Sequence, residues 1–126
     1  MAMEKLTHNG ISLAFEDQGK GAPPILLIHD RGCDRGYSQV QIKRLCCKHR
    51  VVNISLPKRN GTIVPQRDRV VTLAHSVAWL CGELGIYKPL AFGNGIGKAV
   101  VAHLARHSPD LLATDAEQKN WQEKSK

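Results

Sequence analysis

Long apolar runs and aromatic side chains are scarce in this sequence of 126 residues. No apolar run approaches the roughly 20 residues that a membrane-spanning helix needs, and residues 1–10 lack the apolar core of a secretory signal. Aromatic residues make up only 5% of the chain, which leaves few rings to stack on nucleic-acid bases. These absences predict a cytoplasmic protein without a membrane anchor, and they make nucleic acid an unfavoured partner.

The four cysteines form no recognisable disulfide or metal-binding pattern. Cys46 and Cys47 are adjacent, no Cys-x-x-Cys pair occurs, and the six histidines do not complete a metal-ligand spacing with them. We therefore expect reduced thiols, with Cys46 and Cys81 packed as small apolar side chains. Neither a metal ion nor a cofactor is predicted.

Positive charge is concentrated in one segment of the chain. The formal net charge is +7, and residues 31–69 alone carry ten basic and two acidic residues. Such a segment can mark a surface that binds polyanions, although solvated charges on loops and helices are the simpler explanation.

The order of apolar runs and turn residues predicts one α/β domain over residues 1–112, followed by a polar tail over 113–126. Asn9-Gly10 separates two short alternating runs and predicts a β-hairpin, because both central residues of a type I′ turn need positive φ. The continuous apolar run over 25–28 is typical of a strand buried on both faces of a parallel sheet. The remaining predicted elements are a helix over 37–47, strands over 50–56 and 89–92, a helix over 70–84, and a last helix ending near 107–109.

Apolar spacing within the helices also predicts which side chains face the core. The expected core residues are Val40, Ile42, Leu45 and Cys46 in the first helix, Leu73, Val77, Leu80, Cys81 and Leu84 in the second, and Val100, Val101, Leu104 and Ala105 in the third. Together these elements predict a three-layer architecture, with a mostly parallel sheet that begins with an antiparallel hairpin.

Four stretches of the chain resemble the N-terminal half of the α/β-hydrolases. They are the apolar strand 25–28 with the loop His29-Asp30-Arg31-Gly32, the strand and loop over 50–62, the helix over 73–84 with Gly85-Ile86, and the strand-to-helix turn Phe92-Gly93-Asn94-Gly95-Ile96-Gly97-Lys98. The resemblance covers about residues 3–112 and implies a truncated α/β-hydrolase-like fold.

The sequence departs from that family at the positions where the family performs its chemistry. The nucleophile of the family stands on a tight turn between a strand and a helix, and the matching residue here is Gly95, preceded by Asn94. Asp30, followed by Arg31, occupies the oxyanion loop, where a carboxylate would repel a developing negative charge. The half of the family fold that supplies the acid and the histidine of the catalytic triad is expected to be absent. We expect the histidines that are present to be structural or solvated: His29, which should face the loop scaffold, and His75, His103 and His107. The resemblance therefore implies a hydrolase-like protein without hydrolase activity.

The same turn predicts a site for a small anion, because backbone N–H groups at a helix N-terminus favour negative charge. It matches neither the phosphate-loop nor the dinucleotide-binding fingerprint. Basic side chains from neighbouring loops are expected at the same sheet edge, where α/β proteins bind ligands. The predicted ligand-binding residues are Gly93, Asn94, Gly95, Ile96, Gly97, Lys98, Arg31, Arg35, Lys58 and Arg59.

Two other functions and one mode of assembly remain open from the sequence. A residual ester or acyl hydrolase would need Cys33 or Thr62 as its nucleophile, or a partner chain that completes the site. A basic nucleic-acid-binding module would use residues 31–69, although Tyr37 is the only aromatic residue there. The strand over 89–92 would have an unpaired edge, so we expect either a homo-oligomer, most simply a dimer, or cover from the tail.

Overall fold

Five strands and three helices alternate along the chain in the computed structural model, which describes residues 4–30, 39–57 and 66–113. In chain order they are β1 (Glu4–His8), β2 (Ile11–Gln18), β3 (Ile25–Asp30), α1 (Gln39–Cys46), β4 (Val51–Leu56), α2 (Gln66–Glu83), β5 (Leu90–Gly93) and α3 (Ile96–His107). None of these helices is both long and apolar enough to cross a membrane.

The strands form one mixed sheet in the order β1-β2-β4-β3-β5. β1 and β2 pair as an antiparallel hairpin whose turn residues Asn9 and Gly10 have φ values of 51° and 81°, as the Asn-Gly pair predicted. β2 also runs antiparallel to β4, whereas β3 is parallel to both β4 and β5. The expected fold class, with an antiparallel hairpin leading into parallel strands, is confirmed.

Helices cover both faces of the sheet, which gives the expected three layers. α2 and α3 pack on one face, in an apolar cluster that includes Leu26 and Ile28 of β3. α1 packs on the other face through Ile42, in a smaller cluster that includes Ile25 and Leu27. Because alternate side chains of a strand point to opposite faces, burial of β3 on both sides explains its continuous apolar run.

Two predicted core residues are exposed. Val40 is 63% exposed, whereas Ile42 is 1% exposed. Positions two apart lie on different sides of a helix, so the packing of Ile42 against β3 and β4 turns Val40 toward solvent. Ala105 is also exposed, next to the buried Leu104. Its single methyl group gives little hydrophobic gain on burial, and Leu104 and Val100 already fill the contact.

The second helix begins earlier than its apolar spacing indicated. α2 starts at Gln66, although apolar residues at core spacing begin only at Val70. Asp68 lies in the first turn, where a carboxylate is stabilised by the partial positive charge of the helix N-terminus. Hydrophobic spacing does not detect such a polar first turn.

Arg50, just before β4, connects three elements at the end of the sheet where β3 begins. Its Nε and Nη2 atoms donate to the two carboxylate oxygens of Asp17 at 2.9 and 2.6 Å. Nη2 also donates to the carbonyl oxygen of Leu84, just after α2, at 2.8 Å. The planar guanidinium thus joins β2, β4 and the end of α2, and hydrogen bonding to Asp17 raises the pKa of Arg50.

The segment after α3 returns toward β5. Leu112 is buried, and the N–H of Ala113 donates to the carbonyl oxygen of Pro89 at 2.9 Å. This contact covers the start of the outer side of β5. Residues 114–126, which make up nearly all of the predicted tail, lie outside the described residues.

Candidate functional site

A sharp turn of two residues, Asn94 and Gly95, connects β5 to α3. The N–H of Asn94 donates to the carbonyl oxygen of Ile28 at 3.0 Å, which continues the pairing of β5 with β3. Gly95 follows with φ 59° and ψ −131°, a conformation that favours glycine because it has no Cβ. The N–H groups of Gly97 and Lys98 then donate to the carbonyl oxygens of Asn94 and Gly95 at 2.9 and 3.1 Å. We call residues 93–98 the elbow.

Two further glycines allow the elbow to pack against the sheet. A Cβ on Gly97 would lie 2.3 Å from the carbonyl oxygen of Ile28, and one on Gly93 would lie 2.4 Å from the carbonyl carbon of Gly97. Both distances are far below a van der Waals contact. The glycines at 93 and 97 are therefore required by the close approach of α3 to β3 and β5.

The elbow presents backbone donors at the N-terminus of a helix of 12 residues. The N–H groups of Gly95 and Ile96 have no acceptor among the residues that the structure describes. The first turn of α3 contains no acidic residue, and Lys98 is exposed. Unsatisfied N–H groups, the helix dipole and a lysine together favour an anion at this position.

The other predicted ligand-binding side chains cannot be placed beside the elbow, since Arg31, Arg35, Lys58 and Arg59 lie outside the described residues. Asp30 ends β3, and its backbone pairs with Leu56. Ile28 pairs with Gly93, so the end of β3 is at the same sheet edge as the elbow. Cys33 and Thr62, the alternative nucleophiles, also lie outside the described residues.

One polar atom near this edge was not anticipated from the sequence. His29, on β3, is half-buried, and its Nδ1 atom is buried without a hydrogen-bond partner within 4–30, 39–57 and 66–113. Its backbone pairs with Ser55 of β4. The available signal was a histidine directly after the apolar run 25–28 of β3.

Two of the described thiols, those of Cys46 and Cys81, are not activated as nucleophiles. Burial raises the pKa of Cys81 to about 11. Burial also raises the pKa of Cys46, assisted by the nearby Cys47 and Glu16. Thiolates are the reactive form, so raised pKa values argue against nucleophilic catalysis by Cys46 or Cys81. These two residues and Cys47 are free cysteines, as expected.

The remaining predicted histidines lie on the helices that cover one face of the sheet. His75 is on α2, and His103 and His107 are on α3 with ring centroids 4.3 Å apart. Desolvation and the nearby positive charges of His107, His75 and Arg106 lower the pKa of His103. Within the described part of the chain, no three His, Cys, Asp or Glu side chains are grouped closely enough to hold a metal ion.

An open cleft of about 670 Å³ lies at the opposite edge of the sheet from the elbow, beside Lys20, Pro24, Arg50 and Tyr87. Arg50 is already engaged by Asp17 there, at 2.6 Å. The charged group most suited to fixing a ligand is therefore satisfied within the protein, and the elbow remains the better candidate site.

Comparison with known sequences gives one weak relationship. No family model matches the chain. The dihydrolipoyllysine-residue acetyltransferase component of an acetoin cleaving system from Pseudomonas putida is 29% identical over 101 residues. The match includes 79% of this chain but only 27% of that protein.

Comparison with solved structures identifies the fold. A thermophilic esterase from Thermogutta terrifontis, solved with malate bound, is 30% identical, with a TM-score of 0.68; the match covers 89% of this chain and 43% of the esterase. A hydrolase from Pseudomonas aeruginosa is 23% identical, with a TM-score of 0.66, and the match covers 87% of this chain and 43% of the hydrolase. A haloalkane dehalogenase variant from Bradyrhizobium elkanii is 18% identical, with a TM-score of 0.64, and the match covers 88% of this chain and 38% of the dehalogenase. The chain has part of the α/β-hydrolase fold and spans about two fifths of these proteins.

Proposed function

We propose that this partial α/β-hydrolase fold binds a small carboxylate or phosphate at the elbow and does not itself hydrolyse esters. The observation that carries the proposal is the conformation of Gly95, with φ 59° and ψ −131° at the start of α3. In α/β-hydrolases a strained turn of this kind presents the nucleophile. Here the turn is kept, while the residue on it has neither a hydroxyl nor a thiol.

The donors of the elbow suit an oxygen of an anionic ligand. The N–H of the residue after the nucleophile contributes to the oxyanion hole of α/β-hydrolases, and Ile96 holds the matching position. Because Gly95 has no side chain, a ligand oxygen has room to approach the N–H groups of Gly95 and Ile96. Lys98, exposed two residues later, adds a full positive charge.

Titration with two probes, malate and inorganic phosphate, tests this site. Malate is chosen because the esterase from Thermogutta terrifontis was solved with malate bound. In ¹⁵N-correlated NMR spectra we expect the amide signals of residues 95–98 to shift with increasing ligand. If these signals stay in place at about 10 mM of either anion, and the melting temperature is also unchanged, the proposal is wrong.

Matched variants separate the elbow from general charge effects. Lys98→Gln should weaken binding about fivefold, the effect of one charge-assisted contact of roughly 1 kcal/mol. Lys5→Gln, on the distant edge strand β1, should leave binding unchanged. Ile96→Pro removes the N–H at a helix position that tolerates proline, whereas Ile96→Ala keeps the N–H and removes most of the side chain. Only the proline variant should lose the ligand.

An ester assay tests the catalytic half of the proposal. Purified protein should hydrolyse a short-chain nitrophenyl ester at the rate of buffer alone, because Gly95 cannot form an acyl-enzyme. Turnover above that rate would favour the alternative, a residual hydrolase that uses Cys33 or Thr62. Turnover only after a second protein is added would favour a partner chain that completes the site.

We also propose that the chain self-associates through β5. This strand is the outermost one on its side of the described sheet, and Ala113 contacts Pro89, the residue before it. A second copy that packs against this side of the molecule would bury apolar surface beside the elbow. Light scattering at about 100 μM should give the mass of a dimer, and a monomeric mass would refute this mode of assembly.

A further inference from the structure

His103 and His107 form a pair of imidazoles on α3 that the proposed function does not use. They are four residues apart, and this spacing brings side chains of a helix onto the same face, with Cβ atoms about 5–6 Å apart. Their ring centroids are 4.3 Å apart, and the ring planes are tilted by 34°. Within the described part of the chain neither ring takes part in a hydrogen bond, so the nitrogen lone pairs remain available.

The surroundings leave these rings accessible to a ligand from solvent. His107 is exposed and His103 is half-buried. Because the two rings lie on the same helix face with centroids 4.3 Å apart, the pair can offer two nitrogen ligands to one ion.

We propose that His103 and His107 form a two-point binding site for a divalent transition-metal ion such as Ni²⁺ or Zn²⁺ on the surface of α3. Two histidines at this helical spacing are a known way to ligate zinc, and imidazole suits zinc, copper and nickel. Metal–nitrogen bonds of about 2.0–2.1 Å require the two ligating nitrogens to approach to about 3.3 Å. The ring centroids lie 4.3 Å apart, so the proposal requires the two side chains to rotate until one nitrogen of each ring meets this separation.

Water completes the coordination shell in this proposal. The described residues contain no third His, Cys, Asp or Glu positioned to join a group of three. His75, although close enough to influence His103 electrostatically, is therefore expected to remain unbound. The positive charge of Arg106 opposes the bound cation, so the site should be reversible and moderate in affinity.

Calorimetric titration of the tag-free full chain with NiCl₂, and separately with ZnCl₂, tests the site. Accessible thiols are first alkylated, so that Cys47 does not contribute. We expect one ion per chain at pH 7.5, and weaker binding in acid because protons compete with the metal for the imidazole nitrogens. MgCl₂ should not bind, because magnesium prefers oxygen ligands.

Three glutamine variants distinguish the pair from other histidines. His103→Gln and His107→Gln should each lower the affinity about tenfold or more, because a chelate loses one of its two ligands. His75→Gln, a matched change on the neighbouring helix, should retain the affinity of the unmodified chain. Circular dichroism checks that each variant is folded. Absence of one-to-one binding, unchanged affinity in either α3 variant, or equal loss in His75→Gln would overturn the assignment.

Discussion

The substitution Gly97→Ala directly tests the close contact on which the elbow depends. The added Cβ would lie 2.3 Å from the carbonyl oxygen of Ile28 and 2.8 Å from its carbonyl carbon. Relief of this overlap requires α3 to move about 1 Å away from β3. The same carbonyl oxygen accepts the N–H of Asn94 at 3.0 Å, so the displacement also strains the hydrogen bond that leads into the elbow.

The expected loss of stability follows from three contributions. Overpacking of this kind costs about 1–3 kcal/mol, and weakening one backbone hydrogen bond costs about 1 kcal/mol. Replacing glycine by alanine within a helix stabilises the folded state by about 1 kcal/mol, because alanine has the higher helix propensity. The net change in the free energy of unfolding is therefore a loss of about 2 kcal/mol, a large fraction of the roughly 5–15 kcal/mol typical of a domain.

Gly82→Ala provides the matched control. Gly82 lies in the last turn of α2, and a Cβ built there has no atom within 4 Å. This substitution should gain about 0.5–1 kcal/mol by reducing the backbone entropy of the unfolded chain. Urea unfolding followed by circular dichroism measures both variants, with equal m-values required for the comparison. If Gly97→Ala proves as stable as Gly82→Ala, the close packing of α3 on β3 is wrong.

Two further predictions concern buried and bridging side chains. Burial raises the pKa of Cys81 from 9.0 to about 11, so the neutral thiol stabilises the fold below pH 9 and that stability is lost as the pH rises to about 11. The loss in the free energy of unfolding is on the order of 2–3 kcal/mol, and urea unfolding at pH 8 and pH 11 measures it. If a Cys81→Ala variant shows the same pH dependence, Cys81 is not the cause of the loss. Arg50→Lys keeps the charge but loses the two-point contact with Asp17 at 2.9 and 2.6 Å. It should lower the free energy of unfolding by about 1–2 kcal/mol. In a protein that already carries Asp17→Asn, Arg50→Lys should cause little further loss of stability. Additive losses in the double variant would mean that the two side chains are not coupled.

The parts of the fold that were predictable carry strong local signals. Asn9-Gly10 determines a hairpin because few residues accept positive φ twice in succession. The apolar run of β3 indicates a strand covered on both faces. Val40 was misplaced because α1 has only eight residues, too few turns for apolar spacing to define one face. Its orientation is decided by how Ile42 packs, which is a tertiary effect.

The candidate site was predictable in position more than in chemistry. The cluster of glycines at 93, 95 and 97 located the elbow, because close backbone approach requires a residue without a Cβ and positive φ favours one. The donors at the elbow belong to the backbone, and side-chain identity does not reveal which N–H groups lack an acceptor. The proximity of His103 and His107 is a product of the helix, which brings the two rings together, and a spacing of four residues does not by itself distinguish a pair of ligands from two solvated side chains.

The three glycines of the elbow have separate physical reasons, and this affects how the elbow should be interpreted. Gly93 and Gly97 allow α3 to approach the sheet, while Gly95 adopts φ 59°. Packing alone therefore maintains the turn, whether or not a nucleophile stands on it. Retention of the elbow is evidence for the α/β-hydrolase fold and not for hydrolysis. Hydrolysis in that fold depends on the side chain at the position of Gly95, so the anion site proposed above would use only the backbone N–H groups of Gly95 and Ile96 and the charge of Lys98.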